Sequence, residues 1–408
     1  MFFTFKKSLS NKYVSACPSS LYRDGGFYDS ANLLEQLIKL EGLFDIQRIS
    51  ELYPPFAYKR HMPDSILINT LPFFEKLDFK TLLIKNYENL NNEYNLGAAC
   101  ALVKINDVIL TRNSLYLKNG REFKILYENH RPPDRPNTKI KSAFSNLFRR
   151  FKNIETRNQI NIYIGSVGSS NYGHWLVDDL PRLKALEYFS ENYPNTEIVI
   201  HMPESAEAMQ KVKRQSISLI TRNQRVNVRF FNTKNLLLFD ALYYVTPNSY
   251  HPSLKSPDSI QYIRDSLVKQ NEITQHQDKI FVMRLAKRGR ALTNEEAIKK
   301  YLEKNGFVSV DPESLELKDQ IVVFSSAKIV IGIMGAAMTN TIFCAPDTDV
   351  IYLAPHGWIE PFYWDLANVV KQRYHVIYGI NQKNNLQPHE KFFEIPLDSL
   401  ESLLTKIL

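Results

Sequence analysis

Short apolar segments alternate with amphipathic segments along most of the chain after residue 160. The first series predicts strands at 161–165, 197–202 and 226–231, with helical periodicity between them at 174–189 and 204–220. The second series predicts strands with helices between them, at 279–284, 307–310, 328–331, 349–353 and 374–378. Strands that alternate with helices form parallel sheets covered by helices. The pattern therefore predicts an α/β protein with two Rossmann-like domains.

The segments outside these two series have other patterns. Residues 93–127 alternate between apolar and polar positions and contain Asn, Asp and Gly turns, which predicts a β-meander. Helical periodicity at 30–43 predicts a helical N-terminal addition, and the Pro- and Ser-rich segment 246–257 predicts a linker. We therefore expect domains at 1–250 and 258–385, followed by a strand and helix tail at 386–408.

Composition and charge limit the class of protein. The 408 residues exceed one ordinary core, and the formal net charge of +8 suits phosphorylated ligands, nucleic acid or an anionic membrane. No nucleic-acid-binding module is recognised, so nucleic acid is not an expected partner. Three widely spaced cysteines and the lack of a membrane-spanning apolar stretch predict a cytoplasmic protein with reduced thiols. The basic residues between Lys139 and Lys152 leave open a peripheral contact with the inner membrane face.

Two features of the second series suit a bound diphosphate. Four cations follow its first strand, namely Arg284, Lys287, Arg288 and Arg290. A turn of small residues follows its third strand and opens a predicted helix, with Gly332, Gly335 and Ala336 among them. Glycine lets a ligand approach the backbone, and a helix N-terminus offers unpaired N–H groups. The G-x-G-x-x-G and Walker sequences are absent, so neither an NAD enzyme nor a P-loop NTPase is expected. Close helix–strand packing and a solvated basic loop remain the alternatives.

The densest group of reactive side chains lies at 171–183, in the sequence N-Y-G-H-W-L-V-D-D-L-P-R-L. A helix that begins near His174 places His174 and Asp178 on one face. A hydroxyl becomes a good nucleophile only when a positioned base takes its proton, so the pair is predicted to be a catalytic base unit. Which of the two takes the proton stays open, and a structural histidine is the alternative. Four further residues are expected to be acceptor-side or structural: Tyr172, Trp175, Asp179 and Arg182.

The segment 171–183 resembles the Y-x-H-W-x-x-D-x-L-P-R-L motif of glycosyltransferase family 61. The stretch 279–379 is similar to the donor domain of that family, and the similarity as a whole covers about residues 94–400. The resemblance implies a GT-B arrangement, in which two Rossmann-like domains face a cleft. It also implies inverting transfer from a nucleotide sugar without an obligatory metal. Bacterial members of the family often act in capsular polysaccharide synthesis.

The resemblance implies roles for single residues as well. His174 and Asp178 match the histidine and aspartate of the motif, and Arg284 matches the arginine that ends the first strand of the donor domain. A G-x-H-G-A-x-x-x-N sequence of the family is matched by Gly335, Ala336 and Asn340, with Met334 in place of its histidine. Since a methionine can neither donate a hydrogen bond to phosphate nor carry charge, the resemblance implies an altered donor contact there.

The sequence as a whole predicts an inverting glycosyltransferase of bacterial capsule or surface polysaccharide synthesis. The domain at 1–250 is expected to hold a glycan or polysaccharide acceptor, and the domain at 258–385 a nucleotide sugar, UDP-linked or similar. No cofactor and no metal are expected, and a capsule-synthesis complex is a candidate partner. Two other functions stay open. One is a sugar-phosphate transferase, and the other is a non-catalytic nucleotide- or glycan-binding subunit, which Met334 favours.

Overall fold

The computed structural model describes residues 42, 44–69, 76–92, 96–111, 114–119, 122–126, 151–154, 158–166, 168–222, 225–250, 254–269, 277–284 and 289–408. They fall into two compact units. The first contains the described residues up to Phe56 and from Leu96 to position 250, and the second contains the rest. The helix predicted at 30–43 and most of the basic stretch before Lys152 lie outside the described residues.

Twenty strands and eleven helical segments lie within the described residues. In chain order the strands are β1 (Ile46–Tyr53), β2 (Phe56–Ala57), β3 (Ser65–Ile68), β4 (Leu96–Gly97), β5 (Cys100–Thr111), β6 (Ser114–Asn119), β7 (Glu122–Leu126), β8 (Phe151–Ile154), β9 (Gln159–Tyr163), β10 (Glu197–Pro203), β11 (Val226–Phe231), β12 (Leu236–Val245), β13 (Ser249–Tyr250), β14 (Leu254–Lys255), β15 (Lys279–Val282), β16 (Val308–Val310), β17 (Ile329–Ile333), β18 (Asp349–Pro355), β19 (Arg373–Asn381) and β20 (Phe393–Glu394). The longer helices are α1 (Lys76–Asn92), α2 (172–192), α3 (Glu207–Thr221), α4 (Pro257–Leu267), α5 (Glu295–Lys304), α6 (Leu317–Ser326), α7 (Phe362–Val370) and α8 (Leu397–Ile407). Short 3₁₀ helices lie at Pro312–Ser314, Ala336–Phe343 and Pro388–Glu390. Among the described residues, no helix is long and apolar enough to cross a membrane.

The first unit is built on one sheet with a parallel half and an antiparallel half. Strands β11, β10, β9 and β12 lie side by side in that order and run parallel. Strands β5, β6 and β7 continue the sheet as an antiparallel meander, so the predicted β-meander is confirmed. Apolar side chains at alternate positions form the core, such as Val103 and Ile105 on β5 and Leu242 and Tyr244 on β12.

The second unit contains a parallel sheet with the order β16-β15-β17-β18-β19. This is the flavodoxin-like order 2-1-3-4-5 of a doubly wound sheet. Strand β3 pairs in parallel with β19, and the short β20 pairs antiparallel with β19. The central strands β17 and β18 are buried along their whole length, as expected for strands covered on both faces. The predicted α/β class, with a parallel sheet in each half, is confirmed.

The division of the chain differs from the predicted boundaries. The described residues between Ala57 and position 92 pack with the second unit instead of a domain at 1–250. Strand β3 hydrogen-bonds with β19, and the Tyr87 ring of α1 packs 4.6 Å from the Trp364 ring. The predicted tail at 386–408 is part of the same unit, because α8 buries Leu400 in its core. The described part of 57–92 and the tail both join the second unit through contacts with residues outside their own segments, which local sequence patterns do not show.

One local prediction in the second unit is wrong, and another is confirmed with a different helix type. The T-x-x-E sequence of Thr293 and Glu296 predicts a capping box that opens a helix. No such box forms, because the Phe393 carbonyl accepts the Thr293 backbone N–H, at 2.8 Å, that a capping glutamate would accept. Helix α5 begins one residue beyond Asn294, whose side chain makes no capping bond. The helix expected after Gly335 is a 3₁₀ helix, which ends at Phe343.

Candidate active site

The first candidate site lies where the strand order of the first sheet reverses. The chain moves from β9 outward to β10 and β11, and then returns to β12 on the other side of β9. Ligands of open α/β sheets bind outside the carboxyl ends of the strands at such a switch point. The segment that leaves β9 carries His174, and the segment that leaves β12 carries Asn248 and Ser249.

At this switch point the predicted histidine and aspartate are in contact. The side chain of Asn171 caps the start of α2 and accepts a hydrogen bond from the Gly173 N–H at 2.8 Å. His174 Nδ1 lies 2.6 Å from Asp178 Oδ2, and the Ser249 hydroxyl donates a short hydrogen bond to Asp178 Oδ1. The Asp178 side chain is 1% exposed and that of His174 is 20% exposed. A buried carboxylate bound at both oxygens therefore orients a partly exposed imidazole.

The turn before α2 packs closely against this imidazole. A Cβ atom added at Gly168 would lie 2.5 Å from His174 Cγ and 2.9 Å from Nδ1. Real Cβ atoms do not approach another heavy atom that closely, so residue 168 has to be glycine for the ring to keep its position. The turn and Asp178 thus hold the histidine from two sides.

Helix α2 changes its winding where it carries the site. It is α-helical at Tyr172–His174, π-helical at Trp175–Asp179, 3₁₀ at Leu180–Lys184 and α-helical again at Ala185–Asn192. Side chains satisfy carbonyls in the altered turns, since Asn248 Nδ2 donates to Val177 O and Arg182 Nε donates to Asp178 O. Short π-helical segments are frequent at functional sites.

The four residues predicted as acceptor-side or structural have different surroundings. Arg182 is buried and also donates to the Val245 carbonyl at 3.0 Å, which ties α2 to the end of β12. Trp175 is buried and donates to the Ser216 hydroxyl, and Asp179 is buried and accepts from the Ser169 hydroxyl. These three support the fold of the site, whereas Tyr172 is half-buried at the first turn of α2.

The second candidate site lies at the switch point of the other sheet, between β15 and β17. Arg284 follows β15, and Gly335 follows β17. A Cβ atom added at Gly335 would lie 2.8 Å from Arg284 Nη1 and 3.4 Å from Arg290 Nη2. Arg284 Nε also donates to the Gly289 carbonyl at 3.2 Å. Two guanidinium groups therefore meet at the glycine that precedes the 3₁₀ helix, where backbone N–H groups have no intrahelical partner.

Arg290 is a site residue that the sequence showed only as one of four nearby cations. Burial lowers its pKa to about 10, the Tyr363 phenol opposes this shift, and the neighbouring Arg284 cation adds to it. Arg290 still carries its charge at neutral pH. Its guanidinium carbon lies 4.1 Å from the centre of the Trp358 ring. No local pattern marks this contact, because Trp358 follows a different strand of the sheet.

The other predicted donor residues are dispersed. Gly332 lies inside β17, where a Cβ would lie 2.4 Å from Met338 Sδ, so close packing explains the glycine. Asn340 is buried and donates to Gln320 Oε1 at 2.8 Å, which is a structural contact. Ala336 is half-buried and begins the 3₁₀ helix beside Gly335. Two predicted cations lie outside the described residues, namely Lys287 and Arg288.

Comparison with known proteins identifies the class of enzyme. Residues 172–351 match the family model described as Glycosyltransferase 61, so the chain is a glycosyltransferase. The matched segment includes His174 and Asp178 as well as Arg284, Arg290 and Gly335.

Neither of the other comparisons adds to this identification. No curated protein matches the chain. Among solved structures, the chain is similar to a dodecameric iron-containing heptosyltransferase, TibC, in complex with ADP-D-β-D-heptose. That similarity has a TM-score of 0.25 at 9% identity and covers 61% of this chain and 68% of the other. At this TM-score it identifies neither the fold nor the activity.

Proposed function

We propose that this glycosyltransferase is an inverting enzyme that moves a sugar from a nucleoside-diphosphate donor to a hydroxyl group of a glycan or polysaccharide. The hydrogen bond between His174 Nδ1 and Asp178 Oδ2 carries the proposal. A histidine that is oriented by a buried carboxylate is a typical general base. Inverting transfer needs such a base, because the acceptor hydroxyl has to attack the anomeric carbon directly.

His174 is the better candidate for the group that takes the proton. Both oxygens of Asp178 accept hydrogen bonds, and its side chain is 1% exposed. The imidazole is 20% exposed, and its Nδ1 contacts the carboxylate. His174 Nε2 is therefore the atom that takes the proton of the acceptor hydroxyl in this proposal. Asp178 orients the ring and stabilises the imidazolium that forms.

The leaving group is expected to bind at the second site. A departing nucleoside diphosphate gains negative charge in the transition state, and preorganised cations and backbone N–H groups stabilise that charge strongly where water is excluded. Arg284 lies at Gly335, next to the start of a helix, and supplies such a cation. We propose that this charge serves in place of a metal ion, so that no metal is required. Displacement on the face opposite the diphosphate inverts the anomeric centre.

Bacterial capsule or surface polysaccharide synthesis at the cytoplasmic membrane face is the proposed setting. The resemblance of 171–183 to family 61 supports it, together with the formal net charge of +8, which suits anionic donors and an anionic membrane surface. The donor sugar and the acceptor are expected to be found among surface polysaccharide components.

The test is a donor screen followed by a comparison of variants. A bound donor raises the melting temperature by mass action, so a thermal-shift screen of nucleoside-diphosphate sugars selects the donor. With that donor and a glycan acceptor, His174→Ala and Asp178→Asn are each expected to lower kcat by about 100-fold or more. Asp240→Asn, at an exposed carboxylate on β12, is the matched control. NMR of the product is expected to show the inverted anomeric configuration, and wild-type rates for both site variants would refute the base assignment.

A further inference from the structure

The loop that follows β18 reaches the donor site proposed above. Pro355 ends β18, and Gly357 has φ of +84°, which turns the chain before Trp358. The centre of the Trp358 ring then lies 4.1 Å from the guanidinium carbon of Arg290. At this distance the indole face attracts the cation through its quadrupole, and the attraction grows as water is excluded.

Several contacts fix Arg290 in this place. Its backbone N–H donates to the Glu390 carbonyl at 3.3 Å, and its φ is +50°, a left-handed conformation that a side chain adopts only when its surroundings impose it. Its Nε atom makes no hydrogen bond with any described residue. The Trp358 ring, over which the guanidinium carbon lies, is therefore a contact that can hold the group in place.

The charge around Gly335 is suited to an anion with more than one negative charge. Arg284 Nη1 and Arg290 Nη2 lie 2.8 Å and 3.4 Å from the position of a Cβ on Gly335. The two cations repel each other, which lowers the pKa of Arg290 beyond the larger effect of burial. The Tyr363 phenol and, to a smaller extent, the Glu360 carboxylate raise the pKa of Arg290. A diphosphate would offset both positive charges and would accept hydrogen bonds from both planar groups.

We propose that Arg290 binds the donor diphosphate together with Arg284, and that Trp358 is the positioning residue that holds the Arg290 guanidinium over Gly335. The inference rests on the proposed function, and it adds a residue from the β18 loop to the site. Lysine is a poor substitute for Arg290, because an ammonium group neither stacks on an indole as a plane nor binds two phosphate oxygens side by side.

Binding of inorganic pyrophosphate to the full chain tests the proposal, measured by isothermal titration calorimetry at fixed ionic strength. Arg290→Gln is expected to weaken pyrophosphate binding by about 10- to 100-fold, and Arg290→Lys to restore only part of it. Trp358→Leu is expected to weaken binding by about 5- to 30-fold, whereas Trp358→Phe keeps an aromatic face and stays within about threefold. Arg225→Gln, an exposed arginine of the first unit, is the charge-matched control.

The double variant separates positioning from general damage. If Trp358 acts through Arg290, Trp358→Leu weakens binding no further when Arg290→Gln is already present. A full additional loss in that background would overturn the positioning role. If Arg290→Gln binds like the wild type while Arg284→Gln does not, the inference is wrong and the diphosphate site stands. If the wild type binds neither pyrophosphate nor a nucleoside diphosphate, the donor site itself is wrong.

Discussion

Gly168→Ala is the substitution that tests most directly whether the position of the His174 ring matters. A Cβ at residue 168 would lie 2.5 Å from His174 Cγ, whereas ordinary contacts begin at 3.4 Å. The imidazole would have to move by roughly 0.9 Å. His174 Nδ1 is 2.6 Å from Asp178 Oδ2, so a displacement of that size breaks the hydrogen bond or strains the turn.

The expected effect on catalysis is larger than the effect on stability. A misplacement of about 1 Å at a reacting group costs about 100-fold in rate. Overpacking at one partly exposed site costs about 1–3 kcal/mol of unfolding free energy. We therefore expect Gly168→Ala to remain folded under assay conditions with kcat lowered by about 100-fold.

The assay compares steady-state kcat at saturating donor and acceptor with the thermal unfolding of the same samples. Gly42→Ala is the matched control, because a Cβ at that glycine meets no atom within 4 Å. In a His174→Ala background, Gly168→Ala is expected to cause no further loss of kcat, since the displaced ring is already absent. A folded Gly168→Ala variant with kcat within about twofold of the wild type would refute the reasoning.

Two further predictions concern buried charges away from the site. Asp365 is fully buried on α7 and accepts a hydrogen bond from Lys255 Nζ at 3.0 Å and another from Arg60 Nε. Because Asp365→Leu leaves two buried cations without their carboxylate, we expect denaturant titration to show a loss of about 3–5 kcal/mol, and a loss below about 1 kcal/mol would contradict the argument. Burial, aided by the Arg229 cation, lowers the pKa of His201 from 6.5 to about 3, so below pH 6.5 the unfolded chain takes up a proton that the folded chain does not. The first unit is therefore expected to lose about 2 kcal/mol of stability between about pH 7 and pH 5 from this residue. Hydrogen exchange of β10 at pH 7 and pH 5 measures this loss, and His201→Gln is expected to remove it. If stability depends on pH as strongly in that variant as in the wild type, His201 does not cause the loss.

The part of the site that the sequence predicts is local. His174 and Asp178 are four positions apart, so the helical periodicity of 174–189 is enough to place them together. The same applies to the strands, because an apolar run such as 197–202 forms a strand wherever it lies in the sheet. These predictions depend on neighbours within one or two turns of the chain.

The part that escapes prediction depends on distant segments. Ser249 binds the Asp178 carboxylate from 71 positions away, and its Pro- and Ser-rich surroundings are also typical of a linker. Asn248 comes from the same segment and satisfies a carbonyl of the π-helical turn. The capping box predicted at Thr293 is absent for a related reason, because the Phe393 carbonyl, 100 positions away, accepts its backbone N–H. Composition cannot show which distant group competes for a side chain.

The structure explains how the site can do without a histidine at position 334. The family 61 sequence that this turn resembles has a histidine at the position of Met334. A histidine can donate a hydrogen bond to a phosphate, and a methionine cannot. The Met334 side chain is fully buried, and its backbone N–H donates to the Leu353 carbonyl, so the residue serves the sheet. The charge at this switch point comes instead from Arg284 and Arg290, which approach Gly335 from the loop after β15. Because Arg284 matches an arginine of the family, Arg290 is the one of these two cations that can stand in for the missing imidazole. A guanidinium group exceeds an imidazole in charge and in hydrogen-bond donors. The replacement at position 334 is therefore no argument for a non-catalytic subunit.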